Sequence, residues 1–170
     1  MYRKLHLALT ISVLLLTAVL QSCYSAKIVS NKDASYTQKL KKVYVIISSA
    51  KDVKHFDDRL LTALTGKIKL KGVLADGFTR NPLSLETEAD INKKINQYDP
   101  DALLLIKQTQ ITYINGGPGA GTFEITLIDK ETKKNVWKST LSLQGPWQDD
   151  STIDTMVEKL LTQMVQDQLI

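Results

Sequence analysis

Lys42-Val43-Tyr44-Val45-Ile46-Ile47-Ser48 is the stretch that decides the fold. Five apolar residues in a row, four of them β-branched, stand between a lysine and a serine. The run is too short for a helix and does not alternate, so it reads as a strand buried on both faces of a sheet. Ala102-Leu-Leu-Leu-Ile106 has the same character and belongs beside it at the sheet centre. Between the two, Phe56, Leu60, Leu64 and Ile68 recur every four residues, the stripe of a helix lying on a core. Its end is open at this point. Gly72 can close it in a left-handed cap; if Gly66 stops it, Ile68 and Leu70 alternate with Lys67, Lys69 and Lys71 as a strand. A weak strand follows over 73–79, ended by Asn81 and Pro82. Thr87 to Tyr98 carries Ile91, Ile95 and Tyr98 at helical spacing, and Asp99-Pro100 stops it.

Beyond Ile106 the pattern changes. Lys107 to Ile114 turns polar, as expected for a strand that extends past the covering helices. Thr122 to Ile128 alternates, with Phe123, Ile125 and Leu127 on one face, and Val136 to Leu143 does likewise. The polar segment 129–135 joins them as an antiparallel hairpin. Last comes a helix with Ile153, Met156, Val157, Leu160, Leu161, Met164 and Val165 on one stripe, and Ser151 with Asp154 resembles a capping box at its start. The order is β-α-β-α-β-β-β-α. It predicts a single α/β domain over 41–170 in two or three layers, with a mixed sheet that is parallel at its centre and ends in an antiparallel meander.

The chain has 170 residues, 43% of them apolar, one cysteine and two histidines. Disorder is excluded, an internal disulfide is impossible, and the usual three- or four-ligand zinc site has too few ligands. The 22 Lys and Arg stand against 18 Asp and Glu, and two of those bases, Arg3 and Lys4, fall in a segment that reads as a removable leader. No nucleic-acid partner is expected from so small an excess. Nor does any motif call for a metal or a cofactor.

That leader is 1–22: Arg3 and Lys4, then an apolar run from Leu7 to Leu20 broken only by Thr10, Ser12 and Thr17. As a helix the run spans roughly 21 Å, short of the roughly 30 Å of a bilayer core. Leu20-Gln21-Ser22-Cys23 follows at once, and it resembles the lipobox of bacterial lipoproteins, with Gln21 a mild departure. The resemblance implies cleavage between Ser22 and Cys23, acylation of the Cys23 sulfur, and usually acylation of the new amino terminus. Two or three acyl chains, at about 0.8 kcal/mol per buried CH₂, bind a bilayer almost permanently. The alternative is a secreted protein with Cys23 a free thiol. Residues 23–40 are mostly polar and read as the tether between lipid and domain. Tyr24, where enterobacterial sorting places an Asp for inner-membrane retention, favours by resemblance the periplasmic face of the outer membrane.

With the lipobox in place, the element order, Asp99-Pro-Asp-Ala-Leu-Leu-Leu-Ile106 and the hairpin Leu127-Ile-Asp-Lys-Glu-Thr-Lys-Lys-Asn-Val-Trp-Lys138 resemble a group of envelope lipoproteins. Their α/β domains are similar to those of the curli-secretion lipoprotein, the peptidoglycan-synthase activator lipoproteins and the amino-terminal domain of the Tol-system propeller protein. The likeness implies a non-enzymatic accessory or interaction module, with an envelope protein or the cell wall as partner. The long amphipathic hairpins of a pore are missing, so no channel is expected.

Other residues invite chemistry. Gly116-Gly-Pro-Gly-Ala-Gly121 leads into a strand and not a helix, so it reads as a flexible hairpin connection and not a phosphate cradle. His55 beside Asp57 and Asp58, with Ser48 or Ser49 brought near, would be the relay of a periplasmic hydrolase, the rival reading. The pairs Asp57/Asp58 and Asp149/Asp150 would serve acid/base work on glycans or, more simply, favour helix N-termini. Trp137 is expected under a helix. Trp147, with Gln148, is either an exposed partner surface or a loop residue folded back on the core.

Overall fold

The computed structural model describes residues 24–49, 53–80 and 83–170. The leader, the cleavage site at Ser22 and Cys23, and the stop at Asn81-Pro82 lie outside the described residues. Six strands and three helices follow one another: β1 (Ser25–Lys32), β2 (Lys42–Ser48), α1 (Lys54–Leu70), β3 (Leu74–Arg80), α2 (Glu88–Tyr98), β4 (Ala102–Ile114), β5 (Gly117–Asp129), β6 (Asn135–Gln144) and α3 (Asp150–Gln166). The strands form one mixed sheet in the order β1-β6-β5-β4-β2-β3. β2 lies parallel to β3 and β4, and β4, β5, β6 and β1 are successively antiparallel. This is the α/β class and the mixed sheet expected from the sequence.

Strand order settles where the helices lie. From β2 the chain crosses outward to β3 and then back over β2 to β4, so two right-handed crossovers put α1 and α2 on opposite faces. Val43, Val45 and Ile47 face α1 and α3 in the main core, each fully buried. Tyr44 and Ile46 point the other way, into a smaller cluster with Phe78, Ile91, Ile95, Tyr98 and Leu103. That is why β2 is apolar without interruption. The fold is three-layered over the parallel strands and two-layered over the antiparallel ones, where α3, joined at Phe123 by the start of α1, covers one face.

Three expectations are corrected, and a helix boundary that the sequence left open is decided. The supposed tether is ordered: Ser25–Lys32 is an edge strand in register with β6, from Ser25 opposite Gln144 to Lys32 opposite Trp137. Tyr36 and Leu40 behind it are buried, and the Leu40 N–H donates to the Leu169 carbonyl at 2.8 Å. Its alternation was too weak to read because only Ala26 and Ile28 pack on the core. Second, the glycine run is not a flexible connection. Only Asn115 and Gly116 form the turn, with φ of 52° and 83°, the two positive values that a tight hairpin of this hand requires, while Gly117 to Gly121 are strand. Third, α1 runs through Gly66 to Leu70, and Gly72, at φ 82°, turns the chain out. The alternative strand after Gly66 fails because Ile68 completes the buried stripe. Fourth, Ser151 does not cap α3. Asp149 occupies the cap position without a side-chain bond, and Asp154 pairs with Lys67 at 2.9 Å. A capping box closes α2 instead, between Thr87 and Asp90.

The carboxy-terminal end of α3 is pinned by Asp167. Burial works against its charge, but the hydroxyl of Ser30 and the indole N–H of Trp137, both at 2.6 Å, the Gln163 amide at 3.1 Å and nearby Lys32 hold its pKa below the usual range. Trp137 is thus buried under α3, as expected. Asp167→Asn keeps an acceptor and loses the charge. It is expected to cost about 1–2 kcal/mol in urea unfolding at pH 7, since hydrogen bonds to charged groups exceed neutral ones by that order.

Candidate functional site

In open α/β sheets ligands meet the crevice outside the carboxyl ends of parallel strands, where strand order reverses. Here that edge is formed by the ends of β2, β3 and the parallel part of β4, with the start of α1 above it. Asp57 ends the first turn of α1 and Asp58 follows it, one residue on and therefore about 100° further around the helix axis. Asp57 turns inward, with 4% of its surface exposed, and accepts the hydroxyl of Ser49 at 2.8 Å from the end of β2. Asp58 turns outward and accepts the hydroxyl of Thr79 at 2.7 Å from the end of β3. The two carboxylates therefore fasten the helix start to two different strands. No side chain caps the helix at Val53, so negative charge in the first turn also meets the positive end of the dipole. Burial pushes the Asp57 carboxyl up to about 6, against the Ser49 hydrogen bond, which lowers it; the neighbouring Asp58 adds to the rise.

His55 lies on the exposed face of the same turn. Two residues apart on a helix, His55 and Asp57 point to nearly opposite sides. The Ser49 hydroxyl is bonded to the carboxylate directly and not to an imidazole, so the geometry joins serine to aspartate and leaves histidine out. The relay drawn from the sequence is not assembled in this arrangement.

Beside this edge the β6–α3 loop folds back over β5. Trp147 is 2% exposed and closes a triangle of rings, stacked on Phe56 at 4.6 Å centroid to centroid and tilted against Phe123 at 5.3 Å, with Phe56 and Phe123 6.0 Å apart. The partner-surface reading of Trp147 is therefore corrected: its ring belongs to the core. Gly121 exists for this contact, since a Cβ there would lie 2.5 Å from Cζ2 of Trp147 and 2.7 Å from the Gln110 carbonyl. Arg59 locks the loop, donating to the carbonyls of Trp147 (2.5 Å) and Gln148 (2.7 Å) and to the Asp150 carboxylate (2.7 Å). Gln148 itself is exposed. A small concavity of about 250 Å³ remains between Val53, His55, Phe56, Arg59, Pro118 and Gln148. The second acidic pair is divided as well. Asp149 accepts the Tyr24 hydroxyl at 2.6 Å, while Asp150 takes Arg59.

Chemically, the edge offers one buried carboxyl that changes charge near neutrality, one hydroxyl committed to it, and a solvated imidazole facing a shallow hollow. Each expected carboxylate pair is split between separate structural partners, and among the described residues no group of three or more metal-ligating side chains comes together. The sequence reading missed Ser49–Asp57 as a direct pair and Arg59 as the lock. Only the position of Arg59 on the rim of the α1 stripe, next to Leu60, could have pointed to the latter.

No protein-family model matches the chain, and no curated protein matches its sequence. Solved structures do resemble it. A PelC dodecamer from Paraburkholderia phytofirmans is 15% identical with a TM-score of 0.55, over 80% of this chain and 94% of that one. A single-substitution form of the same PelC is 14% identical with a TM-score of 0.56, over 79% and 95%. A Xanthomonas campestris protein of the DUF330 type is looser, 12% identical with a TM-score of 0.42 over 87% and 92%. At these identities the PelC likeness shows a shared fold.

Proposed function

We propose that this chain is a bacterial envelope lipoprotein, held on a bilayer by acyl chains on Cys23, that acts as a non-enzymatic accessory module by binding other envelope components. The observation that carries the reading is the junction of lipobox and fold. Leu20-Gln21-Ser22-Cys23 ends one residue before Tyr24, and β1 starts at Ser25, so a cleaved and acylated product would begin where the folded domain begins. Among the described residues no helix is long and apolar enough to cross a membrane. Its fold is that of a PelC that forms dodecamers, and assembly from copies of this chain is the partner relation we assign first, with another envelope protein or the cell wall as further contacts. We place the protein on the periplasmic face of the outer membrane, on the strength of Tyr24 beside the cysteine.

Cys23→Ser is expected to move the protein from the membrane pellet to the soluble fraction, or to leave it uncleaved at the full chain mass. A mature, detergent-extracted Cys23→Ser product would refute the anchor. Light scattering on the detergent-extracted wild type is expected to give a multiple of the protomer mass. A hydrolase has one observation in its favour, the Asp57 carboxyl raised to about 6 beside Ser49. His55→Ala with Asp57→Asn separates the readings, because an interaction module keeps its phenotype and a hydrolase loses it.

A further inference from the structure

The β4–β5 hairpin ends in a tip at the same end of the sheet as the amino terminus. Ser25 pairs with Gln144, Gln144 with Ala120, and Ala120 with Thr112, one row across four strands. Tyr24 lies past that row on the side of Tyr113–Pro118. At about 3.3 Å per residue, Ile114 and the turn stand roughly 7–10 Å beyond the row. Cys23, two residues before Ser25, reaches at most about 7 Å beyond it. Two to three strand spacings, roughly 10–15 Å, separate β1 from the hairpin laterally. The tip therefore comes at least level with the residue that would carry the lipid.

Its composition fits a lipid surface. From Gln108 through Phe123 there is no Asp, Glu, Lys or Arg, in a chain that is 24% charged. The bounding charges, Lys107 and Glu124, face each other in register farther down the sheet. The nearby Asp149 is bonded to Tyr24, and Asp150 to Arg59. At the end itself Tyr113 is 48% and Ile114 55% exposed, beside Pro118 and the Asn115-Gly116 turn. An uncharged tip forfeits no ion hydration on entering headgroups, and tyrosine, apolar with one polar end, suits that layer.

We infer that Tyr113–Pro118 is a second membrane contact, dipping into the headgroup layer of the leaflet that holds the Cys23 acyl chains, so that the domain stands on the bilayer at two points. The inference takes its orientation from the anchoring proposed above but is a separate claim about the tip. It turns the opposite end of the sheet, with the hollow lined by Lys39, Asp101, Asp129 and Glu131, toward the aqueous compartment.

With Cys23 acylated, Ile114→Cys supplies the single reactive thiol of the full-length protein. It is labelled with an environment-sensitive fluorophore in vesicles of phosphatidylethanolamine and phosphatidylglycerol containing nitroxide lipids. Headgroup and shallow-chain nitroxides are expected to quench it at least about twofold, as a contact 5–10 Å into the interface requires. The same label at Glu131→Cys is expected to stay unquenched. Salt is expected to leave both unchanged, because the tip is uncharged. Intact mass reports the lipid separately. Where no Cys23 lipid is found, the label is read in Cys23→Ser/Ile114→Cys, so that it stays on the tip: quenching there supports the tip contact and removes the anchor, whereas a lipid adduct with an unquenched tip overturns the contact and leaves the anchor standing. Neither lipid nor quenching overturns the contact too, as does a label already shielded without vesicles by another copy of the chain. In hydrogen exchange, vesicle-dependent protection of 112–120 is expected in the unlabelled protein and not in Y113S/I114S; equal exchange in both overturns the proposal.

Discussion

Trp147→Ala is expected to lower stability by about 3–5 kcal/mol, the range for removing a large aromatic from a core, and the melting temperature by roughly 10–15 °C. The ring is 2% exposed and packs against both Phe56 and Phe123, which also touch each other, so its removal opens a void that the sheet cannot close from below. Gly121, already without a side chain at that point, offers nothing to fill it. The small hollow beside Arg59 and Pro118 admits partial collapse and sets the effect nearer the lower figure. The indole N–H has no acceptor among the described residues, so Trp147→Phe gives up stacking area without orphaning a partner and is expected to cost less than half as much. Were the ring a partner surface, alanine would leave the melting curve unchanged and abolish capture of the partner. Urea unfolding alongside the thermal scan separates the two, because a core role moves the midpoint with the slope preserved.

The same residue shows what a sequence does and does not carry. β2, β4 and the stripe of α3 were legible because their burial is a local pattern: Val43 to Ile47 is apolar since both faces are covered, and Ile153 to Met164 repeats since one is. β1 was not. Ser25–Lys32 owes its ordering to hydrogen bonds from β6, more than a hundred residues away, and although its burial alternates, two of its four inward positions are the polar Ser30 and Lys32, so the sequence shows no clear apolar alternation. Asn115-Gly116 was a readable turn signal, overshadowed by the glycines that follow it, whose purpose is close approach to Trp147 and to Ile114 and not freedom. At the candidate site, residue types were visible and pairings were not. Asp57 and Asp58 were recognised as helix-start acids, but whether each faces Ser49, Thr79 or His55 depends on which strand ends meet above the sheet. Likewise Thr87 with Asp90 and Ser151 with Asp154 show the same spacing. Only the first is a cap, because α3 already begins at Asp150.

Asp57 gives the chain a pH dependence opposite in sign to that of its other perturbed carboxylates. A group whose folded-state pKa is raised holds its proton more tightly folded than unfolded. Stability from that group is greatest below the unfolded value of 3.8, falls as pH rises toward about 6, and is level above it. A rise of about two units corresponds to about 2–3 kcal/mol lost between pH 4 and pH 7. Asp33, Asp90, Asp99 and Asp167 are shifted downward, so their contribution is present at neutral pH and lost on acidification through their folded values. The wild-type profile mixes both trends. Asp57→Asn isolates one, since the amide oxygen can still accept from Ser49 while no charge forms. The difference between variant and wild type in chemical unfolding is expected to favour the wild type, or neither, at pH 4. By pH 7.5 it should have swung toward the variant by about 2 kcal/mol, changing most steeply between the unfolded value of 3.8 and the folded value of about 6 and levelling off above it. A difference that does not change with pH would mean that the carboxyl is solvated in the folded protein, and the buried Ser49–Asp57 junction would then not be what closes α1 onto β2.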